Sequence, residues 1–141
     1  MLTLLRAFWD ISLFRRGPEH LPTSRFFLGV AALLLIAAES LVVLSLYPLA
    51  LLVPILLTDL ALLAAWTAAS LAWARQLQRF EPTLAALFGC SAVLQLLSYP
   101  ISIALDLQQR ILPLVLILLW SIAIYAHILA RATGWSVFGA Y

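Results

Sequence analysis

Four long apolar stretches follow one another along the chain, each interrupted by very few polar residues. A helix needs about 20 consecutive apolar residues to cross the hydrocarbon core of a bilayer, and each stretch reaches that length. Prolines, arginines and an aspartate mark the ends of the stretches. The pattern predicts four transmembrane helices, over roughly residues 26–47, 49–73, 83–105 and 111–131.

The first 14 residues have a different pattern, MLTLLRAFWDISLF. On a helical projection Thr3, Arg6 and Asp10 share one narrow arc, while the remaining surface is mostly apolar. Such a helix is typical of segments that lie in the headgroup plane. We therefore expect an amphipathic interfacial helix, with Phe8 and Trp9 in the interface.

The segment 15–24, RRGPEHLPTS, breaks the helical pattern, because glycine and proline punctuate it. Ser24 can then cap the first span. No cleavable signal peptide is expected, since the first apolar stretch is short and carries charges. The sequence thus predicts an all-α membrane protein in three parts: a cytoplasmic amphipathic lead and linker (1–24), a four-helix transmembrane domain (25–131) and a cytoplasmic tail (132–141).

Composition agrees with a lipid environment. Of the 141 residues 65% are hydrophobic and 10% are charged, whereas soluble domains carry about 25% charged residues. The mean hydropathy is +1.10. The net charge of +2 is small and spread along the chain, so no nucleic-acid partner is expected. The expected partners are the lipid bilayer and other membrane proteins or further copies of this chain.

Arginine placement predicts the orientation. All eight basic residues are arginine, which fits codon bias in a GC-rich bacterium and hence an inner-membrane location. Seven of them precede span one or follow spans two and four, and only Arg110 lies on the other side. Because cytoplasmic loops carry the excess of basic residues, both termini are expected in the cytoplasm.

Two carboxylates interrupt the first hairpin, Glu39 in span one and Asp59 in span two. Ionisable groups inside a membrane are costly and usually have a partner. Counting from the tight turn after Tyr47 places both acids at nearly the same depth. They are either a proton or cation site, or neutral acids bonded to each other, to Ser40 or to Thr58, or a contact to a charged group of another subunit.

Further polar and small residues suggest helix contacts. Ser91, Gln95, Ser98 and Ser102 share one face of span three, which predicts either a polar path or ordinary interhelical hydrogen bonds. Ala61, Ala65 and Ala69 form a line on span two. Small residues at this spacing let helices approach closely, so the line predicts a packing face, within the chain or against a partner.

Motifs for catalysis and metal binding are missing from the sequence. There is no GxSxG, HExxH or phosphate-binding glycine loop. His20 and His127 are isolated, and Cys90 lies inside an apolar run without a second ligand at suitable spacing. We therefore expect no catalytic residue, no metal and no cofactor.

The stretches LFRRGPEHLPTSRFFLGV and LLWSIAIYAHILARATG resemble small proteobacterial inner-membrane proteins. That group is loosely similar to the Ypt-interacting-protein (Yip) family, which places an amphipathic lead before a compact bundle of hydrophobic helices. Eukaryotic Yip proteins are membrane-trafficking scaffolds, but the resemblance transfers neither an activity nor a functional residue to this chain. Two functions are therefore expected: a non-catalytic accessory or scaffold subunit of an inner-membrane assembly, or a small oligomeric transporter or proton-coupled channel that uses Glu39 and Asp59.

The orientation can be tested with topology reporters fused after Tyr47 and at the C terminus. We expect the first reporter to be active only on the periplasmic side and the second only in the cytoplasm, because the arginines hold their ends of the spans inside. A cytoplasmic signal from the reporter after Tyr47 would overturn the predicted orientation.

Overall fold

A computed structural model describes residues 2–15, 21 and 24–134. The predicted linker, His20 and the predicted tail therefore lie partly or wholly outside the described residues. Within them the chain is almost entirely helical and contains no strand. The five α-helices are α1 (Leu2–Ser12), α2 (Arg25–Leu46), α3 (Leu52–Trp73), α4 (Phe80–Ala104) and α5 (Leu107–Thr133).

The helices α2 to α5 are each long and apolar enough to cross a membrane. Together with the amphipathic α1 they confirm the predicted fold class, a multi-pass helical membrane protein. Short 3₁₀ turns, Leu49–Leu51 and Leu77–Arg79, lead into α3 and α4. Ser24 precedes α2 as predicted, but its hydroxyl makes no capping hydrogen bond.

Two helices begin earlier than the sequence predicts. α4 begins at Phe80, which places Pro82 within its first turn; proline is tolerated there because the first backbone N–H groups of a helix have no intrahelical partner. α5 begins at Leu107 and includes the charged Arg110. The Nη1 of Arg110 donates to the carbonyl of Ser102 at 3.0 Å, so this charge stabilises the exposed carboxyl end of α4.

The centre of the bundle is α4, whose residues from Pro82 to Leu94 are buried without interruption. α2 runs parallel to it, since Arg25 Nε and Glu81 Oε1, close to the two amino ends, lie 3.4 Å apart. α5 runs antiparallel, because Arg79 Nη1 donates to the carbonyl of Ala132 at 3.1 Å. α3 and α5 therefore end on the side where α2 and α4 begin.

The amphipathic α1 packs against protein with its apolar face. Phe8 and Ile11 are each 1% exposed. The ring of Phe8 rests on Gly89 of α4 and lies 5.7 Å from the ring of Phe27 in α2. Gly89 is nine residues from the start of α4, about 13 Å at about 1.5 Å per residue. Phe8 therefore packs within the bundle and not in the membrane interface, where the sequence placed it.

The carboxyl end of α1 contacts α5. Trp120 Nε1 donates to the carbonyl of Ser12 at 3.1 Å, and the Trp9 and Trp120 rings meet edge to face at 6.3 Å. Cys90 Sγ contacts the carbonyl of Phe8 at 3.7 Å. α1 thus packs on α2, α4 and α5 together, and these contacts anchor the predicted lead on the bundle.

Substitution of Gly89 tests this docking. A Cβ built on Gly89 would lie 2.1 Å from Phe8 Cε1, whereas one on Gly29 meets nothing within 4 Å. We expect Gly89→Ala to destabilise the protein by about 1–3 kcal/mol, the usual cost of overpacking, and Gly29→Ala to leave the midpoint of unfolding in detergent unchanged. In a Phe8→Ala background we expect Gly89→Ala to lower the midpoint no further, which identifies the ring as the cause; equal midpoints for Gly89→Ala and Gly29→Ala would contradict the docking.

Candidate polar site within the bundle

Glu39 is the one ionisable residue on the buried face of α2. That face consists of Phe27, Ala31, Leu35, Ala38, Glu39 and Val43, at the spacing that keeps one side of a helix toward a core. Glu39 is only 3% exposed. Its Oε2 is buried and has no hydrogen-bond partner among the described residues. Burial of a carboxyl oxygen without a hydrogen bond is costly.

Asp59 of α3 shares a cavity with Glu39. The cavity has a volume of about 350 Å³ and is lined by Glu39, Leu51, Pro54, Ile55, Thr58, Asp59 and Leu62. Glu39 lies about 10 Å and Asp59 about 15 Å from the turn that joins their helices, at about 1.5 Å per residue. The two acids therefore face a common space at similar depth.

The hydroxyls next to the two acids bond to their own helices. Ser40 Oγ donates to the carbonyl of Ile36 at 2.5 Å, and Thr58 Oγ1 donates to the carbonyl of Pro54 at 2.7 Å. Neither hydroxyl donates to a carboxylate. The structure therefore does not contain the simplest arrangement considered from the sequence, in which these hydroxyls satisfy the acids.

A second cavity, of about 230 Å³, joins Asp59 to the polar face of α4. Its polar lining residues are Asp59, Ser91, Gln95, Ser98, Ser121 and Tyr125. The hydroxyls of Ser91 and Tyr125 form a hydrogen bond of 2.6 Å, in which either can donate. Ser91, Gln95 and Ser98 are thus brought to one space together with Asp59.

Ser102 lies outside this group. Its Oγ donates to the carbonyl of Ser98 at 2.9 Å, and its own carbonyl accepts from Arg110. Ser102 therefore belongs to the end of α4. Sequence reasoning missed Ser121 and Tyr125 of α5, although their four-residue spacing places them on one helix face.

A third cavity, of about 470 Å³, extends from Asp59 in the opposite direction along α3. It is lined by Asp59, Leu62, Leu63, Ala65, Trp66, Ala69 and Tyr125. The first two cavities extend toward the beginning of α3, and the third extends toward its end. Asp59 borders all three cavities, so its carboxyl group lies where spaces from both halves of the bundle meet.

The predicted small-residue line lies on the surface of the chain. Ala61, Ala65 and Ala69 are all exposed, and Trp66 beside them is 65% exposed. Within the chain, the extended close packing is instead between α2 and α4, where Ala31 and Ala38 are buried. The line on α3 therefore makes no packing face within the chain, and a contact with a partner stays a prediction.

The other reactive side chains have structural surroundings. Cys90 is fully buried beneath α1, and the His127 ring meets Phe14 edge to face at 5.1 Å. Among the described residues no group of three or more His, Cys, Asp or Glu side chains is placed to hold a metal ion. The arrangement that carries chemistry is thus the pair of acids and the hydroxyls around Asp59.

Comparison of the chain with known protein families, with curated proteins and with solved structures gives no match. The resemblance to the Yip family therefore stays a prediction, and the function has to be inferred from the geometry of the chain itself.

Proposed function

We propose that this protein is a non-catalytic accessory or scaffold subunit of a bacterial inner-membrane assembly. The observation that supports this most is the exposure of α3. In the most apolar segment of α3 no residue is buried, whereas the buried share of the corresponding segment is 11% in α5, 33% in α2 and 67% in α4. A helix in a bundle usually buries one side, and α3 is the least covered of the four spans.

Exposure to lipid is not in itself a reason to bind a protein, because lipid tails are as apolar as leucine. Close helix packing and polar contacts supply the attraction in membranes. The exposed side of α3 offers both, since Ala61, Ala65 and Ala69 allow a helix to approach closely and Asp59 borders the cavities beside them. A partner helix on α3 accounts for both features.

The proposal includes the bacterial inner membrane as the location and an orientation with both termini in the cytoplasm. Arg25, Arg75, Arg79 and Arg131 lie at the end of the bundle where α2 and α4 begin, and the positive-inside rule places that end in the cytoplasm. The termini then face the cytoplasm.

A second function is favoured by a specific observation, the position of Asp59 between cavities that extend toward opposite ends of α3. Intramembrane acids on such paths are typical of proton or ion translocation. In that case the protein is a small oligomeric transporter or proton-coupled channel, in which a second copy completes the walls around Asp59.

One experiment on native membranes distinguishes the two functions. The protein is cross-linked in place, purified, and its companions are counted for wild type, Ala65→Phe and the control Ala37→Phe, which adds the same bulk to an exposed site on α2. We expect a stoichiometric membrane partner with wild type and with Ala37→Phe, and a loss of about tenfold or more with Ala65→Phe, since a large side chain prevents close approach.

A chain that purifies alone, or a partner that Ala65→Phe and Ala37→Phe retain equally, contradicts the accessory function. A homodimer that carries a proton flux in vesicles, lost in Glu39→Gln and in Asp59→Asn, supports the second function instead.

A further inference from the structure

We propose that the cavity shared by Glu39 and Asp59 receives a basic side chain, lysine or arginine, from the middle of a transmembrane helix of the partner. This inference rests on the proposed accessory function and names the chemistry by which the partner is recognised.

The cavity is a groove on the outside of the bundle. Every residue that lines it belongs to α2 or to the segment that begins α3, and none belongs to α1, α4 or α5. Leu51, Pro54 and Leu62 along its wall are exposed. Its open side therefore faces the surroundings of the protein at membrane depth, where a neighbouring helix can enter.

The groove contains a buried carboxyl oxygen that has no hydrogen-bond partner among the described residues. The side chain of Glu39 is 3% exposed, and its Oε2 makes no hydrogen bond within the described residues. The nearby hydroxyl of Thr58 already donates a hydrogen bond to a backbone carbonyl of its own helix. Lipid tails cannot donate a hydrogen bond. A basic side chain of another molecule would supply both a donor and a compensating charge to these acids.

Among the residues that the structure describes, no arginine is placed to pair with these acids. The chain has no lysine, and α3 and α4 contain no arginine. Arg25, Arg79 and Arg110 lie at helix ends and contact Glu81, Ala132 and Ser102. Two acids with no basic residue at their depth are complementary in charge to a basic residue of a partner.

A helix is the carrier that fits the site. The groove continues along α3 into a cavity that Asp59 lines together with Ala65 and Ala69, so a helix lying on these small residues lies beside Asp59. Lipid headgroup amines stay at the membrane surface, about 10–15 Å away along the helices. A lysine or arginine in the middle of a partner helix already lies at the depth of the acids, so its charge can pair with them inside the membrane.

The test uses model transmembrane peptides and the full-length protein in phosphatidylcholine vesicles. Each peptide is a leucine-rich helix of about 23 residues with lysine, leucine or glutamate at its centre, and binding is measured by energy transfer from a label on the protein. We expect the lysine peptide to bind about tenfold more tightly than the leucine peptide, equivalent to about 1.4 kcal/mol, and the glutamate peptide no more tightly than the leucine one.

The variants assign this preference to the two acids. Glu39→Gln/Asp59→Asn is expected to bind the lysine and leucine peptides equally, whereas Asp106→Asn, which removes an exposed acid at the turn before α5, keeps the tenfold preference. Helical content and monodispersity are compared with wild type, and each single variant is measured so that loss of folding is recognised.

Equal binding of the lysine and leucine peptides by wild type overturns the inference, and so does a preference that survives in the double variant. Acid-dependent binding of the small cation tetraphenylphosphonium without any lysine preference also overturns it, in favour of a small-molecule ligand. If the peptides show no lysine preference but Ala65→Phe disrupts a native complex, this inference is wrong and the accessory function stands. If the peptides show a lysine preference but the chain has no native partner, the accessory function is wrong and the basic-residue site stands.

Discussion

A polar group placed in hydrocarbon has to find its partner within protein, because lipid tails offer none. Most polar side chains of the described spans meet this constraint locally. The hydroxyls of Ser40, Thr58 and Thr67 donate to backbone carbonyls of their own helices, and those of Ser91 and Tyr125 bond to each other across α4 and α5. The Oε2 of Glu39 is buried without a hydrogen-bond partner among the described residues, and both proposals begin with Glu39 and its neighbour Asp59.

The packing of the helices explains why these acids lie beside α3. α4 occupies the centre, with α2 and α5 on its flanks, and α1 contacts all three through Phe8 and Trp9. The hydrogen bond from Trp120 to Ser12 fixes α1 to this group. α3 closes the bundle elsewhere and keeps an open side, so polar groups that it shares with α2 are reachable from outside.

The hydrophobic pattern was sufficient to predict the four spans and the separate N-terminal helix, since length and apolarity decide what can cross a bilayer. It also predicted the matched depth of the two acids, because depth follows from counting along a helix. The observed helix ends differ from the predicted ones by a few residues. The charge of Arg110 suggested a loop between spans, but Arg110 lies inside α5 and contacts the end of α4.

Rotation of each helix about its axis could not be predicted. A span that is apolar on all sides gives no periodic signal for the face that meets protein. The line of Ala61, Ala65 and Ala69 therefore could not be assigned to the inside or the outside, and the contact of Phe8 with Gly89 was not foreseen. Tyr125 was missed for the same reason, since its role depends on facing Ser91.

The rotation of α3 is the central claim, and spin-label accessibility along α3 tests it directly. Single cysteines from 61 to 71 are introduced in a Cys90→Ala background and exposed to oxygen in the purified chain. We predict high accessibility at 61, 65 and 69, which are exposed, and protection at Thr67 and Leu71, which are fully buried. Protection of the alanine positions with free access at 67 and 71 would contradict the orientation of α3 and remove the basis for a partner on that face.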